Sequence, residues 1–329
     1  MKTLYLECNM GAAGDMLMAA LYELLEDKEA FLAAMNRLFP GVEVRPRQAV
    51  TCGITGTHMD VTVRGEEEHS QDVALGCDGT HAQLHSHEHA HEHSHDHPHD
   101  HEHEHHHHDH GESHEHGHPH SHHHTAPADI AAILSSLEVP DEVKSAAQAI
   151  YDRIAQAEAQ AHGVPVSEIH FHEVGALDAV ADVTGVCLAI YLLHPDRIVA
   201  SPIHLGSGQV RCAHGVVPVP APATVHLLEG VPCYTGEIQG ELCTPTGAAL
   251  LVHFAQSFGP MPVMTTKAVG VGIGVGFAHA RHRPVRRADA QGLTGADELV
   301  VPWRAPWLHA LVMVLESLFL FALVTIMCA

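Results

Sequence analysis

Two imidazoles and three carboxylates lie close together in one stretch of this chain, IHFHEVGALDAVADVTG, running from Ile169 to Gly185. Its first half alternates as a strand does, which places His170 and His172 on one face. After Gly175 the period becomes helical, and Asp178 and Asp182, four residues apart, share a helix face within reach of a common ion. Glu173 stands at the changeover, where a turn can swing it toward either pair. Borderline divalent metals take imidazole and carboxylate together, so His170, His172, Glu173, Asp178 and Asp182 are expected to form the working metal centre. The plainer alternative is a helix-start aspartate beside ordinary surface histidines.

The elements that must hold this stretch are readable around it. Thr3 to Cys8 is an apolar strand, Asn9 to Asp15 a glycine-bearing loop, and Met16 to Leu25 a helix. In NMGAAGD, Gly11 and Gly14 let backbone come close to a ligand, and the amides that open a helix can hold an anion. The loop is not a P-loop, because Asp15 stands where Lys-Ser/Thr would be needed, and Asp15 suits a metal better than a phosphate. Phe31 to Phe39 continues helical, and Val42 to Val63 reads as a hairpin about Thr51 to Gly56 with nothing catalytic in it. Helices follow near Ala128 to Leu137 and Asp141 to Ala161, the latter opening on Pro140, Asp141 and Glu142. An apolar helix from Val183 to Leu193 and a buried strand from Arg197 to Pro202 come next.

Two later loops carry polar groups. In IHLGSGQVRCAHGVVPVPAPAT, Ile203 to Thr224, the flexible backbone of Gly206, Ser207 and Gly208 could wrap an anion. There His204 and His214 could ligate metal, and Arg211 could pair with phosphate or carboxylate. Pro218, Pro220 and Pro222 keep the chain extended, as along a cleft or in a rigid connector. In GELCTPTGAALLVHF, Gly240 to Phe254, Thr244 is an N-cap and Pro245 the first helical residue, so Thr246 and Gly247 offer hydroxyl and amides at a helix mouth. Capping alone also explains Thr244 and Pro245.

From Glu66 to His124 the chain is His alternating with Glu, Asp and Ser, and the run includes His105, His106, His107 and His108. Too few apolar residues remain to offset the entropy of ordering, so disorder is expected. Many imidazoles interleaved with carboxylates bind nickel, copper, zinc or cobalt with little geometric selectivity. Much of the acid lies in this same tract, in a chain of 40 acidic against 16 basic residues, with 36 histidines and a formal net charge of -24. Nucleic acid is therefore not an expected partner. The 8 cysteines show no CxxC spacing and read as thiols of a reducing cytosol. Glu7 and Asn9 interrupt any apolar leader, so a cytoplasmic body is expected.

Taken together, NMGAAGDM, HFHEVGALDAVADV, SPIHLGSGQVRCAHGVVPVPAPAT and GELCTPTGAAL resemble the nickel-insertion proteins of the nickel-pincer cofactor pathway, the LarC family that matures lactate racemase. The resemblance runs from Met1 to roughly Gly274, around a His-rich insertion that the family also tends to carry. It implies the substrate pyridinium-3,5-bisthiocarboxylic acid mononucleotide, into which the family puts nickel between two sulfurs and a ring carbon. That cyclometallation, of lyase or chelatase type, consumes CTP with magnesium or manganese. The substrate phosphate would need an anion pocket, at the Gly11 to Asp15 loop or the Thr244 to Gly247 helix mouth. A carboxylate such as Glu173 or Asp178, with Asp15 nearby, would take the ring proton.

The resemblance fades at the carboxyl end. Past VGVGIGVG the family continues into a smaller domain expected to bind CTP, whereas here the text from about Phe277 becomes the Arg-rich ARHRPVRR and then apolar. A reading frame split at this junction is the leading explanation, so the chain would need a complementing carboxyl-terminal domain. Leu308 to Met327 is long enough to cross a bilayer, but Glu316 in its middle disfavours insertion. The expected architecture is α/β: a mixed sheet with flanking helices over 1–65 and 125–276, a disordered metal-binding segment over 66–124, and an atypical tail over 277–329. A homo-oligomer is expected. The competing function is a nickel store or metallochaperone acting through the His tract, and a weaker one is a membrane-tethered metal-dependent hydrolase.

Overall fold

The computed structural model describes residues 1–51, 53–65, 71–72, 125–212, 214–274 and 323–328. His105 to His108, the Arg-rich run and residues 308–322 of the apolar tail lie outside them. In chain order the first elements are β1 (Thr3–Glu7), α1 (Gly14–Leu24), α2 (Lys28–Leu38), β2 (Val42–Thr51), β3 (Ile54–Val63) and β4 (Gln71–Asp72). Then come α3 (Pro127–Ser136), α4 (Asp141–His162), α5 (Leu177–Leu193), β5 (Arg197–Ala200), β6 (Ile203–His204), β7 (Gly206–Ser207), β8 (Gln209–Cys212) and β9 (Gly215–Pro218). The last are α6 (Pro222–Leu227), β10 (Cys233–Tyr234), β11 (Gly240–Glu241), α7 (Pro245–Phe254), β12 (Ser257–Phe258), β13 (Ala268–Ile273) and β14 (Leu323–Cys328).

Seven strands make a mixed sheet in the order β12-β5-β1-β14-β13-β3-β2. β12, β5 and β1 run parallel, and so do β13 and β3, while β14 is antiparallel to both β1 and β13. β1 is buried along nearly its whole length, as an apolar strand with both faces covered must be. β14 is the end of the apolar tail, and its LVTIMC sequence is that of a central strand; among the described residues no helix is long and apolar enough to cross a membrane. β2 and β3 form the expected hairpin in register from Val42 with Val63 to Thr51 with Ile54.

α1 lies on β13, β3 and β14 and packs against α5, with α4 beyond α5. Met16 through Leu21 are all buried, so α1 is covered on every side; Met16, Met18 and Leu21 each contribute about 1.5–3 kcal/mol by leaving water. The closeness of α1 to the sheet depends on VGVGIG. A Cβ at Gly272 would stand 1.9 Å from the Met16 carbonyl oxygen, and one at Gly270 would stand 2.0 Å from that of Ala20. The closeness of α1 to α5 depends on Gly185, where a Cβ would lie 2.3 Å from Met18 Sδ. Small residues thus bring the starts of α1 and α5 together.

Two local expectations change. Ile169 to His172 does not form a strand; Phe171 makes only an isolated antiparallel bridge with Thr125, because Ala126 and Pro127 immediately cap and open α3. The proline run does not stay extended either, since Pro222 opens α6.

Candidate functional site

The carboxylates gather where α1 and α5 begin. Asp15 is in the first turn of α1, Asp178 in the first turn of α5, and Asp182 one turn further on. Gly14 makes the approach possible: a Cβ there would be 2.8 Å from both Cβ and Oδ2 of Asp182. The carboxylate of Asp182 accepts a hydrogen bond from the Asp15 backbone N–H, one of the donors that a helix start leaves open. Burial, followed by the charges of Asp15 and Asp178, nevertheless pushes the Asp182 carboxyl well above the usual range. One amide donor does not offset desolvation and two like charges. Asp182 Oδ1 is enclosed without a hydrogen-bond partner.

Two residues that the sequence reading passed over border this group. His58, on β3, is 2% exposed. Its Nδ1 stands 2.7 Å from the Ile273 carbonyl oxygen and 3.8 Å from Asp15 Oδ2, and its Nε2 stands 3.1 Å from Asp60 Oδ1. The Ile273 carbonyl accepts, so Nδ1 carries a proton. Asp60 in turn receives two-pronged hydrogen bonds from Arg47 at 3.0–3.2 Å. A chain of carboxylate, imidazole, carboxylate and guanidinium thus leads from Asp15 to the surface of the hairpin. Tyr151, on α4, is buried below; its hydroxyl donates to the Val174 carbonyl oxygen at 3.0 Å, and burial, then the charges of Asp178 and Asp182, keep it a phenol. Alternation along β3 marks His58 as inward-facing, the one signal that sequence offered for it.

The imidazoles gather elsewhere. His172 packs edge-on against His214 with ring centroids 4.6 Å apart, and His162, the last residue of α4, lies 4.8 Å from His214 on centroids. Burial, then the neighbouring His162, lower the His214 pKa. Cys212 Sγ is 3.9 Å from His214 Nδ1. His170 is exposed, with Phe171 between it and His172 turned into the core against Tyr151. Glu173 lies in a single 3-10 turn, Glu173–Gly175, that links the two groups. The structure therefore brings Asp178 and Asp182 together with Asp15, and His172 together with His214, but the stretch from Ile169 to Gly185 does not place all five of its ligand candidates around one point. Among the described residues no group of three or more such side chains is arranged to hold a metal ion as it stands.

The glycine loops are filled by protein. A Cβ on Gly11 would be 1.9 Å from the Leu242 carbonyl oxygen, and one on Gly247 would be 2.1 Å from that of Ala12. These two loops are tied together by Ala12 N to Leu242 O at 3.0 Å and Thr244 N to Ala12 O at 3.1 Å. Thr244 Oγ1 accepts from the Gly247 amide at 3.1 Å, so this amide is used by the cap; Thr246 is buried beside it. Gly206 faces the Gly240 carbonyl oxygen, and Gly208 the Gln239 side chain. Ser207 Oγ donates to the Ile238 carbonyl oxygen at 2.7 Å and accepts from Gln239 Nε2 at 3.0 Å. His204 is buried, its pKa lowered by desolvation; its Nδ1 accepts from the Gly206 amide at 3.1 Å, and its ring meets Tyr234. Arg211 is exposed on β8, where its backbone faces Gln71. Cys8, Cys187, Cys212, Cys233 and Cys243 are free thiols.

Comparison with known proteins bears on the family of this chain. The family model described as "Nickel insertion protein" matches residues 4–287, past Gly274 and through ARHRPVRR. A pyridinium-3,5-bisthiocarboxylic acid mononucleotide nickel insertion protein of Geobacillus kaustophilus (strain HTA426) is 36% identical over 271 residues, covering 82% of this chain and 55% of the relative. A protein of the same name from Clostridium acetobutylicum is 42% identical over 260 residues, covering 78% of this chain and 57% of the relative. The chain spans about half the length of these curated relatives. No solved structure matches.

Proposed function

This chain belongs to the nickel insertion protein family, and from that premise we propose that it carries the nickel-handling and proton-accepting half of a cyclometallation. The substrate is pyridinium-3,5-bisthiocarboxylic acid mononucleotide, after which its relatives are named, and nickel is the second substrate. Nickel(II) bonds to two thiocarboxylate sulfurs and one ring carbon, whose C–H bond breaks; the proton leaves to a carboxylate and nickel keeps its oxidation state. Soft sulfur competes well for a nickel ion held by imidazole, so transfer from histidine to substrate runs downhill.

The observation that carries this reading is the enclosed, partnerless Oδ1 of Asp182 among the carboxylates of Asp15 and Asp178. A carboxyl whose proton affinity is raised by burial and by its neighbours' charges is a stronger base than a free carboxylate, which suits it to take a proton. Asp178 and Asp15 share the charge of this group, and His58, with Asp60 and Arg47 behind it, borders Asp15 at 3.8 Å. Glu173 stands in the turn joining this group to His172 and is the alternative base. His170, His204 and His214 remain proposed nickel ligands.

The family's CTP, with magnesium or manganese, is assigned to the part of the relatives that this chain does not span, and lactate racemase to the cofactor's destination. The test is nickel content of the mononucleotide, read by mass spectrometry after incubation of the chain with nickel, substrate, CTP, magnesium and a complementing carboxyl-terminal fragment. Product formation is expected; Glu173→Gln with full product would take Glu173 out of the base role. No product under these conditions would leave the store or metallochaperone reading, which the His-rich tract from Glu66 to His124 favours.

A further inference from the structure

Described residues on either side of the His-rich sequence, Gln71–Asp72 and Thr125, are held close to the same imidazoles. On its amino-terminal side, β4 pairs antiparallel with β8, setting Gln71 opposite Arg211 and Asp72 opposite Val210. β8 ends at Cys212 and turns back into β9 just past His214, so that pairing lies within about 10 Å of chain from His214. On the carboxyl-terminal side, Thr125 exchanges two backbone hydrogen bonds with Phe171, at 2.8 and 3.3 Å, one residue before His172. The third imidazole, His162, comes from the end of α4, where Gly163 in the left-handed conformation stops the helix.

We infer that His162, His172 and His214, with Cys212 beside them, form a receiving site for nickel that the tract loads and the carboxylate group then draws from. This rests on the insertion reading and names the route by which nickel enters it. Imidazole nitrogens sit about 2.0–2.1 Å from a borderline divalent ion, which puts two ligating ring centroids about 4.5–5.2 Å apart at right-angled to tetrahedral bond angles. The centroid separations of 4.6 and 4.8 Å at His214 fall in that span. A thiolate and an imidazole on one tetrahedral ion stand about 3.5 Å apart, against 3.9 Å from Cys212 Sγ to His214 Nδ1. No such set is closed among the described residues as they stand, so nickel binding would require the rings to turn about χ2. Glu158 Oε2, 3.6 Å from His162 Nε2, can orient that ring and leave Nδ1 for the ion, as carboxylates behind metal-bound histidines do.

Donor and acceptor in one chain meet at an effective concentration on the order of 1 mM, whatever the supply in solution. The site should therefore matter when nickel is scarce and not when it is abundant. His162 is the residue to change, because its side chain is 42% exposed and it ends its helix, so the fold does not depend on it.

The test is carbethoxylation of histidines in the full chain, read peptide by peptide with and without nickel(II). Nickel should slow the labelling of His162, His172 and His214 together by at least fivefold and leave His226 unchanged. In His162→Ala and in His162→Gln, protection of His172 and His214 should need about tenfold more nickel, while the peptides of the tract respond as before. Unchanged labelling of His162 with nickel, or full protection of His172 and His214 in both variants, would overturn the receiving site. Protection with no nickel in the mononucleotide product would support the site and sink the insertion reading; product without protection would do the reverse.

Discussion

The carboxylates at the starts of α1 and α5 and the imidazoles around His214 stand on either side of a short turn, yet they differ in kind. Asp15, Asp178 and Asp182 are packed against helix starts and partly closed over, with Asp182 held toward its protonated form by burial and by its neighbours' charges. His162, His172 and His214 come from a helix end, the bend just after the Thr125–Phe171 bridge, and a hairpin turn, with His162 and His214 exposed to solvent. His172 and Asp178 are six residues apart, at most about 20 Å of extended chain. The difference separates two tasks. An open set of neutral donors exchanges a metal ion quickly, whereas a closed set of acids stores the electrostatic cost that proton transfer or cation binding relieves.

Asp182→Asn should pull the two tasks apart most strongly. Product formation should fall by about 10²–10⁴-fold if the carboxylate group takes the proton, with nickel protection of His214 unchanged. Stability should move the other way. In the unfolded chain Asp182 loses its proton near pH 4, whereas in the fold it keeps it to higher pH. Between those limits the folded state binds more protons, so stability falls as pH rises, and Asn removes that fall. Urea unfolding of the nickel-free protein from pH 4.5 to pH 8 should show a flatter dependence in the variant; an unchanged slope would mean that Asp182 is not raised.

A smaller effect is expected from Gly14→Ala. The new Cβ would meet Asp182 Cβ at 2.8 Å, and the shift needed should cost about 1–3 kcal/mol in denaturant unfolding. Thr244→Ala should cost about 1 kcal/mol through the lost cap and leave substrate affinity intact, because Thr244 Oγ1 already serves Gly247. A loss of affinity larger than the loss of stability would restore the helix mouth as an anion site. The smallest effect concerns thiols: at pH 8 Cys233 and Cys212 should alkylate first among the described free thiols, and nickel should slow Cys212. Cys8, buried and pushed up to about 12, and the buried Cys187 and Cys243 should stay unmodified.

The α/β architecture and most elements were legible because their signals are local: periods of two and 3.6, the Thr244-Pro245 start, and the acids after Pro140. The four-residue spacing of Asp178 and Asp182 was legible for the same reason. His58 was not, since what makes it notable is Asp15, 43 residues away in sequence, and Ile273 on a third element. His162 ends an otherwise ordinary helix, and its partners come from two other places in the chain. Glycines were read as room for a ligand; a missing Cβ signals close approach without saying of what, and here Leu242, Gly240 and Ala12 backbone occupy the room. The apolar tail shows the same ambiguity, because a short apolar run reads alike as part of a bilayer segment or as the central strand it makes at Leu323–Cys328.

The most direct measurement crosses the two groups: nickel incorporated into the mononucleotide by the chain and a complementing carboxyl-terminal fragment, for Asp182→Asn and His162→Ala, at one equivalent of nickel and at large excess. The account predicts that Asp182→Asn loses about 10²–10⁴-fold of product formation at both levels, and that His162→Ala is slow at one equivalent but matches the unaltered chain at excess. Full product from Asp182→Asn, or a His162→Ala defect that excess nickel does not repair, would contradict it.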